Sequence, residues 1–311
     1  MEIAVVGGSG FIGKNVAEFL SKENRVRIID TKPISTKEKI TFKKCDVLDY
    51  KLLEDCLKGC EVIIDSHIIQ IPRINEIKEL AFNVNVNGTK NVCEVCRKND
   101  SRLILTGTWH VYGEPPFEKT MIDESYGYHP EKVSERAKFY VINKIMQEMW
   151  VRSYSEMYGV KSGILRLSTV LGEGMPEKTA ANIFINQALK NKDITPFRDT
   201  RYRPMLYVDV NDVNGAVKRF IEILDSRCET IHIAYPEPVT ILELSEMIKR
   251  LSNSNSEVKI VDNAEDAFKP EDKDYCSMDL TKLRKGLKLE KLISTEGSLK
   301  RIIEKARQNS S

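Results

Sequence analysis

Three glycines spaced three apart, Gly7, Gly10 and Gly13 in the run GGSGFIG, follow an apolar stretch that begins at the second residue and lead straight into a helical pattern. Few folds accept such a turn. A side chain at the first glycine obstructs the tight strand-to-helix turn, one at the second keeps the backbone from a pyrophosphate, and one at the third holds the helix off the strand. The helix that starts here offers free backbone N–H groups and the positive end of its dipole, which suit phosphate. The chain is therefore expected to open with a dinucleotide site, with Phe11 and Ile12 beside the cofactor in the first helical turn.

The rest of the chain continues the alternation that this turn begins. Short Val- and Ile-rich runs at 2–6, 25–30, 40–45, 61–65, 102–106 and 162–166 alternate with helical patterns at 12–22, 52–57, 77–97 and 135–158. Several runs are apolar throughout, as parallel strands covered on both faces are. Right-handed crossovers would place the helices on both sides of one sheet. The expected fold class is α/β, a doubly wound parallel sheet of the Rossmann type with a smaller C-terminal substrate-binding lobe.

After Arg166 the alternation breaks into STVLGEGMPEKTAANIF and NKDITPFRDTRYRPM, and a strand near 205–208 with a helix after Asp212 resumes it. The dinucleotide-binding domain is accordingly assigned residues 1–171, rejoined by 206–233, and the lobe residues 172–205 and 234–311. PEPVTILELSEMIKRL reads as a helix of that lobe with Thr240 near its N-cap, and the polar tail KARQNSS as a frayed end.

Composition excludes several functions. A chain of 311 residues with 41% hydrophobic content can bury a large core. Lys plus Arg number 48 against 46 Asp plus Glu, so a net charge of +2 points to neither an acidic polymer nor a membrane surface. KENRVR and KEKITFKK lack interleaved aromatic residues and read as solvated faces. The N-terminus enters a strand pattern without a signal-type leader, and no run is apolar for long enough to span a bilayer. The seven scattered cysteines fit reduced thiols in a cytoplasm. Cys93 and Cys96 form a CxxC without a second pair, inside a helical pattern, which favours packing over metal or redox work.

Two aspartates end strands on the cofactor side. Asp30 is placed to accept hydrogen bonds from the adenosine ribose and to repel a 2′-phosphate, which favours NAD over NADP, although Lys32 partly offsets that repulsion. Asp46, with Val47 after it, stands where the adenine edge would lie, or else serves as a turn or cap residue.

In YVINK, Tyr140 and Lys144 lie four apart on one face of a helix. A free phenol ionises near pH ~10, so a base working near neutrality needs its phenolate stabilised by roughly 4 kcal/mol. A nearby ammonium, with the positive nicotinamide ring, has the required sign. The spacing alone is common on helix surfaces. Here the fifth strand ends in LTGTWHVYG, which puts Thr108 at the carboxyl edge of the sheet, where its hydroxyl can bond the substrate oxygen beside the tyrosine.

With these motifs the chain resembles the extended short-chain dehydrogenase/reductase family, in particular its nucleotide-sugar epimerase and dehydratase branch, over nearly its whole length. GGSGFIG is similar to the extended-type glycine motif, NVNGTKNV to the stretch after the fourth strand and YVINKIMQE to the active-site helix. GILRLSTVLGEG is similar to the sixth strand and the exit to the lobe, and RPMLYVDVNDV to the returning strand and its helix. The resemblance implies catalytic roles for Thr108, Tyr140 and Lys144, a structural role for Asn85, and a place for Arg203 at the phosphates of a nucleotide sugar. It also implies NAD as cofactor, held in part by Tyr140 and Lys144, and a homodimer.

The departures narrow the reading. Where the family has small residues beside the cofactor, this chain has Asp65, Ser66, His67 and Ile68, of which Ser66 is expected to touch the cofactor. Thr169 replaces an asparagine that contacts the nucleotide sugar. Trp109 and His110 replace the two acidic residues of the 4,6-dehydratases, which disfavours dehydration. His110 is either a proton carrier or a packed residue, and the 113–134 segment either a cover for the site or a surface loop. Val141, Ile142, Ile145, Met146, Met149 and Trp150 spread apolar character around the active-site helix, for a second copy or for burial on two sides within one chain.

The expected activity is NAD-dependent C4 epimerisation of a nucleotide sugar by transient oxidation. The alternatives are an NAD(P)-dependent dehydrogenase or reductase of a sugar or small carbonyl compound and a non-catalytic NAD-binding sensor, which would have no use for Thr108, Tyr140 and Lys144 together.

Overall fold

The computed structural model describes residues 1–35, 40–225 and 228–308. The start of the charged run at 37–44 and the last three residues of the tail lie outside them. The expected strands form β1 (Glu2–Val6), β2 (Arg25–Asp30), β3 (Ile40–Lys44), β4 (Val62–Asp65), β5 (Arg102–Thr108) and β6 (Ser162–Leu167). Three short strands follow, β7 (Thr169–Leu171), β8 (Pro204–Met205) and β9 (Tyr207–Asp209), then β10 (Glu229–Ile233) and β11 (Val239–Thr240).

Seven strands make one sheet in the order β10-β6-β5-β4-β1-β2-β3, every neighbouring pair parallel. The order turns between β1 and β4, which opens a crevice at the carboxyl ends of those strands. The helices are α1 (Phe11–Leu20), α2 (Tyr50–Leu57), α3 (Arg73–Glu76), α4 (Lys78–Phe82), α5 (Gly88–Asn99), α6 (Glu135–Tyr158), α7 (Ala180–Leu189), α8 (Val210–Ile223), α9 (Ile241–Leu251) and α10 (Thr295–Gln308).

Period-two alternation sends β1 side chains to two cores. Ile3 and Val5 pack with Val16 and Leu20 of α1 and with Val217 and Phe220 of α8. Ala4 and Val6 pack on the other face with Leu53 of α2, Cys93 and Cys96 of α5, and Val151 of α6. Cys93 and Cys96 are thus core residues. A third core joins Phe184 and Ile185 of α7, Leu244 and Ile248 of α9, and Leu299 and Ile303 of α10. Thr240 caps α9, accepting from the Glu243 N–H while the Glu243 carboxylate accepts from the Thr240 N–H. Residues 276–287 side instead with the main sheet, through Cys276, Met278, Leu280 and Leu283.

Three expectations need correction, and one strand was not foreseen. The helix at 77–97 is divided: after α4 a π-turn at Asn83–Asn87 intervenes, with the Gly88 N–H bonded to the Asn83 carbonyl, before α5 begins. Asn85 causes much of this, since its side chain is turned to the Ile69 backbone. The strand near 205–208 is two short strands outside the main sheet, β8 paired with β11 and β9 with β7. The seventh sheet strand is β10, whose ETIHI run carries polar residues that are buried and partnered, Thr230 by Arg152 and His232 by Tyr112. The tail is helical to Gln308, since Leu299, Ile302 and Ile303 anchor α10 in the third core. Among the described residues no helix is long and apolar enough to cross a membrane.

Candidate active site

The glycine turn is governed by close approach. Gly7 adopts φ +76°, and a Cβ there would meet the His67 Cα at 2.5 Å and its nitrogen at 2.6 Å. A Cβ on Gly13 would lie 2.4 Å from the Gly7 carbonyl oxygen. One on Gly10 would meet only that oxygen, at 3.3 Å, so this side of the turn stands open. Phe11 and Ile12 form the first turn of α1, which starts at Gly10 without a side-chain cap and leaves its first N–H groups to a ligand.

Asp30 braces this turn. One carboxylate oxygen accepts from the Ser9 N–H at 3.0 Å and the other from the Lys32 N–H at 3.1 Å. Asp46 accepts from the Leu48 N–H at 3.0 Å, the geometry of a turn residue, while Val47 is buried against Gly88. The Ser66 hydroxyl is buried beside the crevice with no partner among the described residues. An open side at Gly10, an uncapped helix N-terminus and an orphaned hydroxyl fit a dinucleotide.

Thr108 ends β5 and Tyr140 and Lys144 share the inner face of α6, so sheet and helix bring the three together. Burial pushes the Tyr140 phenol up to about 12, opposed by the Thr108 hydroxyl facing it. The downward shift expected from Lys144 is not present in the chain alone, because the Lys144 ammonium donates to the Thr106 carbonyl at 2.8 Å. Burial brings that ammonium down to about 8, against the pull of Asp65 and Glu148.

The rest of the inner face of α6 rests on a polar platform. Asn85 accepts from the Ile69 N–H at 2.7 Å and donates to Asn143 at 3.3 Å. Gln147 donates to the Asn85 carbonyl at 3.0 Å and to the Thr89 hydroxyl at 2.8 Å. Asn85 is structural, as its motif implied.

On the substrate side Thr108 caps the short 3₁₀ turn Trp109–Tyr112, and its hydroxyl lies 3.3 Å from His110 Nδ1. Burial, with Arg203 nearby, takes His110 down to about 3, so the ring is neutral near pH 7 and fits a packed partner of Thr108 better than a proton carrier. Trp109 is a core residue, edge-on to Phe117. Thr169 is half-buried in β7, its N–H bonded to the Leu206 carbonyl. The Arg203 guanidinium meets the Glu114 carboxylate at 3.3 Å, and Glu114 also accepts from the Ser134 N–H.

Sequence reasoning missed Glu114 and a second buried network. Arg166, a lone cation in apolar β6, pairs with Glu148 at 2.8 Å, one turn beyond Lys144. It also donates to Tyr112, whose hydroxyl meets His232 Nε2, while Tyr128 donates to Glu148. A charged residue inside an apolar strand is the signal that could have revealed this network, since a buried charge requires a partner. Through it, and through backbone bonds from Phe117 to Tyr275 and from Ile122 to Ser277, the 113–134 segment is anchored on the body of the protein.

A sequence model of the NAD-dependent epimerase/dehydratase family matches residues 3–233. A Methanocaldococcus jannaschii protein with the provisional name UDP-glucose 4-epimerase is 30% identical over 261 residues, which cover 79% of this chain and 81% of that one. UDP-glucuronic acid decarboxylase 5 of Arabidopsis thaliana is 27% identical over 299 residues, covering 92% and 84%. The crystal structure of Thermotoga maritima UDP-glucose 4-epimerase with UDP-glucose superposes with a TM-score of 0.85 at 23% identity, covering 100% of both chains, a likeness of fold. The glycine turn, the parallel sheet and the family match agree: this chain belongs to the NAD-dependent epimerase/dehydratase family of extended short-chain dehydrogenases/reductases, and is an NAD-dependent enzyme of that family.

Proposed function

We propose that this enzyme epimerises C4 of a UDP- or dTDP-linked hexose. The observation that carries the reading is the meeting of Thr108 and Tyr140 at the carboxyl edge of the sheet, with Lys144 buried one turn away. Bound NAD supplies a hydride acceptor that can return the same hydride to the opposite face of the sugar. Gly7, Gly10, Phe11, Ile12, Gly13 and Ser66 would hold its phosphates and inner edge, Asp30 its ribose, and Asp46 and Val47 its adenine end. Tyr140 takes the proton of the C4 hydroxyl and later restores it, Thr108 bonds the same oxygen, and Lys144 steadies the phenolate. Because Tyr140 stands near 12 in the chain alone, this role needs the cofactor's positive ring in place.

Arg203 would bind the diphosphate, since a guanidinium can hold two phosphate oxygens at once. Thr169, with a single hydroxyl, would shape a sugar pocket unlike that formed by an asparagine. Residues 172–205 and 234–311 would supply most of that pocket, and residues 1–171 with 206–233 the cofactor domain. The unpaired cysteines support action in a cytoplasm. Ile142 and Met149 of α6 are 36% and 40% exposed, which supports a homodimer through this helix. Light scattering at micromolar concentration is expected to give twice the chain mass, and a monomer alone would exclude it.

The purified protein is expected to retain NAD and to interconvert a UDP- or dTDP-hexose with its C4 epimer, followed by NMR. If a panel of such sugars neither reacts nor binds, while a small alcohol or carbonyl compound drives net NADH formation or loss, the dehydrogenase reading replaces this one.

A further inference from the structure

Asp65 and His67, at the end of β4, form a buried ion pair with Oδ1 and Nδ1 2.5 Å apart and side chains 0% and 7% exposed. His67 Nε2 lies 2.9 Å from the Val84 carbonyl oxygen. A carboxylate and a carbonyl are both acceptors, so with Asp65 ionised both ring nitrogens carry hydrogen and the ring is an imidazolium. Burial alone would drive both groups neutral, but their attraction prevails, holding Asp65 below the usual carboxylate range and His67 above the usual imidazole range. The surroundings are shaped for the pair. A Cβ on Gly88 would strike Nε2 at 2.8 Å, and Val84 lies within the π-turn at Asn83–Asn87.

A buried ion pair is weak evidence for stability, because desolvation offsets its Coulombic gain. This one is wired to the active-site helix by two routes. Asp65 Oδ2 accepts from the Thr89 hydroxyl at 2.9 Å, and Thr89 accepts from Gln147, three residues beyond Lys144. The Thr106 hydroxyl donates to the Asp65 carbonyl at 3.3 Å, while the Thr106 carbonyl receives the Lys144 ammonium.

We propose that Asp65 and His67 are positioning residues for Lys144, seating α6 on the end of β4 through Thr89, Gln147 and Thr106, with His67 keeping the carboxylate ionised and the carboxylate attracting the ammonium. This rests on the Tyr140/Lys144 reading above. The other groups about Lys144 are Tyr140 and Glu148 of α6, the latter engaged by Arg166 of β6 and Tyr128 of the 113–134 segment. Thr106 and Thr108 of β5 and Thr89 of α5 are uncharged, and burial keeps the Cys93 thiol of α5 protonated.

The test is the pH profile of bound-NAD reduction by UDP-glucose in the NAD-loaded protein. Asp65→Asn keeps the shape and removes the attraction on the ammonium, and burial then leaves His67 neutral, so the basic limb, where Lys144 loses its proton, moves down by about one pH unit. His67→Asn takes away the charge that holds Asp65 ionised, so part of the same attraction is lost and the limb moves down by a smaller amount. The double variant, with the attraction already gone, stands where Asp65→Asn does. Lost packing would instead add up, so no shifts, or a double variant displaced by the sum of the two single ones, would overturn the proposal. If the wild-type protein reduces no bound NAD, it is the functional reading that fails. The Lys144 side-chain resonances of the NAD-loaded protein, titrated by NMR, then carry the same test, with the same non-additive displacements expected and additive or absent ones overturning it.

Discussion

In the cofactor half of the crevice, between β1 and β4, the constraints are imposed by backbone, as where a Cβ on Gly7 or Gly13 would strike main-chain atoms. In the half we assign to the substrate, Thr108, Tyr140, Thr169 and Arg203 arrive from separate segments, and on the proposed reading each would matter for the atoms at its tip. The first half therefore leaves no room for a side chain at Gly7 or Gly13. The second, on that reading, would admit changes of shape and fail when a functional group is lost. Fold and cofactor can stay constant across such a family while the substrate changes.

That contrast can be broken most directly at Tyr140. Tyr140→Phe removes one hydroxyl and is expected to lower turnover by about 100-fold or more while leaving NAD affinity nearly unchanged. Steady-state kinetics with a parallel cofactor titration checks this, and a variant that keeps most of its kcat would remove Tyr140 from the chemistry. Gly13→Ala adds one methyl group to the other half. Overpacking of this kind typically costs about 1–3 kcal/mol, which corresponds to NAD binding weakened by about ten- to a hundredfold if the bound state bears the strain. Calorimetry that finds the native affinity would show that the turn can relax.

Arg203→Ala should raise KM about tenfold with little change in kcat, because the proposed contact with a diphosphate would be the same before and during reaction. A loss confined to kcat would place Arg203 at the chemistry instead. Glu114, which holds Arg203 in the chain alone, sets the background for this measurement. Asp30→Ala is expected to have the smallest effect, narrowing the preference for NAD over NADP several-fold. Equal affinities of the wild-type protein for the two cofactors would end the argument from charge.

Much of the fold was legible because its signals are local. Runs of Val and Ile with no polar face mark β1, β4 and β6, and helical spacing marks α6 from Glu135 to Tyr158. One strand was less legible: β10 carries Thr230 and His232, polar residues that are buried because Arg152 and Tyr112 from other elements partner them. The division at Asn83–Asn87 was hidden because the stretch keeps a helical pattern while Asn85 bonds a distant backbone. At the site, the glycines, Asp30, Thr108, Tyr140 and Lys144 stood in motifs. Glu114 and the Arg166–Glu148–Tyr112–His232 network did not, since their partners come from other elements.

The amino-acid sequence by itself determined the turn at Gly7 to Gly13, the strands and crossover helices, and the placing of Tyr140 one turn before Lys144. Each of these rests on backbone sterics or on a period of side chains along one element, and both are complete within a short stretch of chain. Only the tertiary structure decided that Lys144 donates to Thr106, that Tyr140 in the chain alone stands near 12, that His110 is neutral and that Asp65 holds His67 above the usual imidazole range. Protonation depends on how far water is excluded and on which dipoles and charges are brought near, and packing between distant elements sets both.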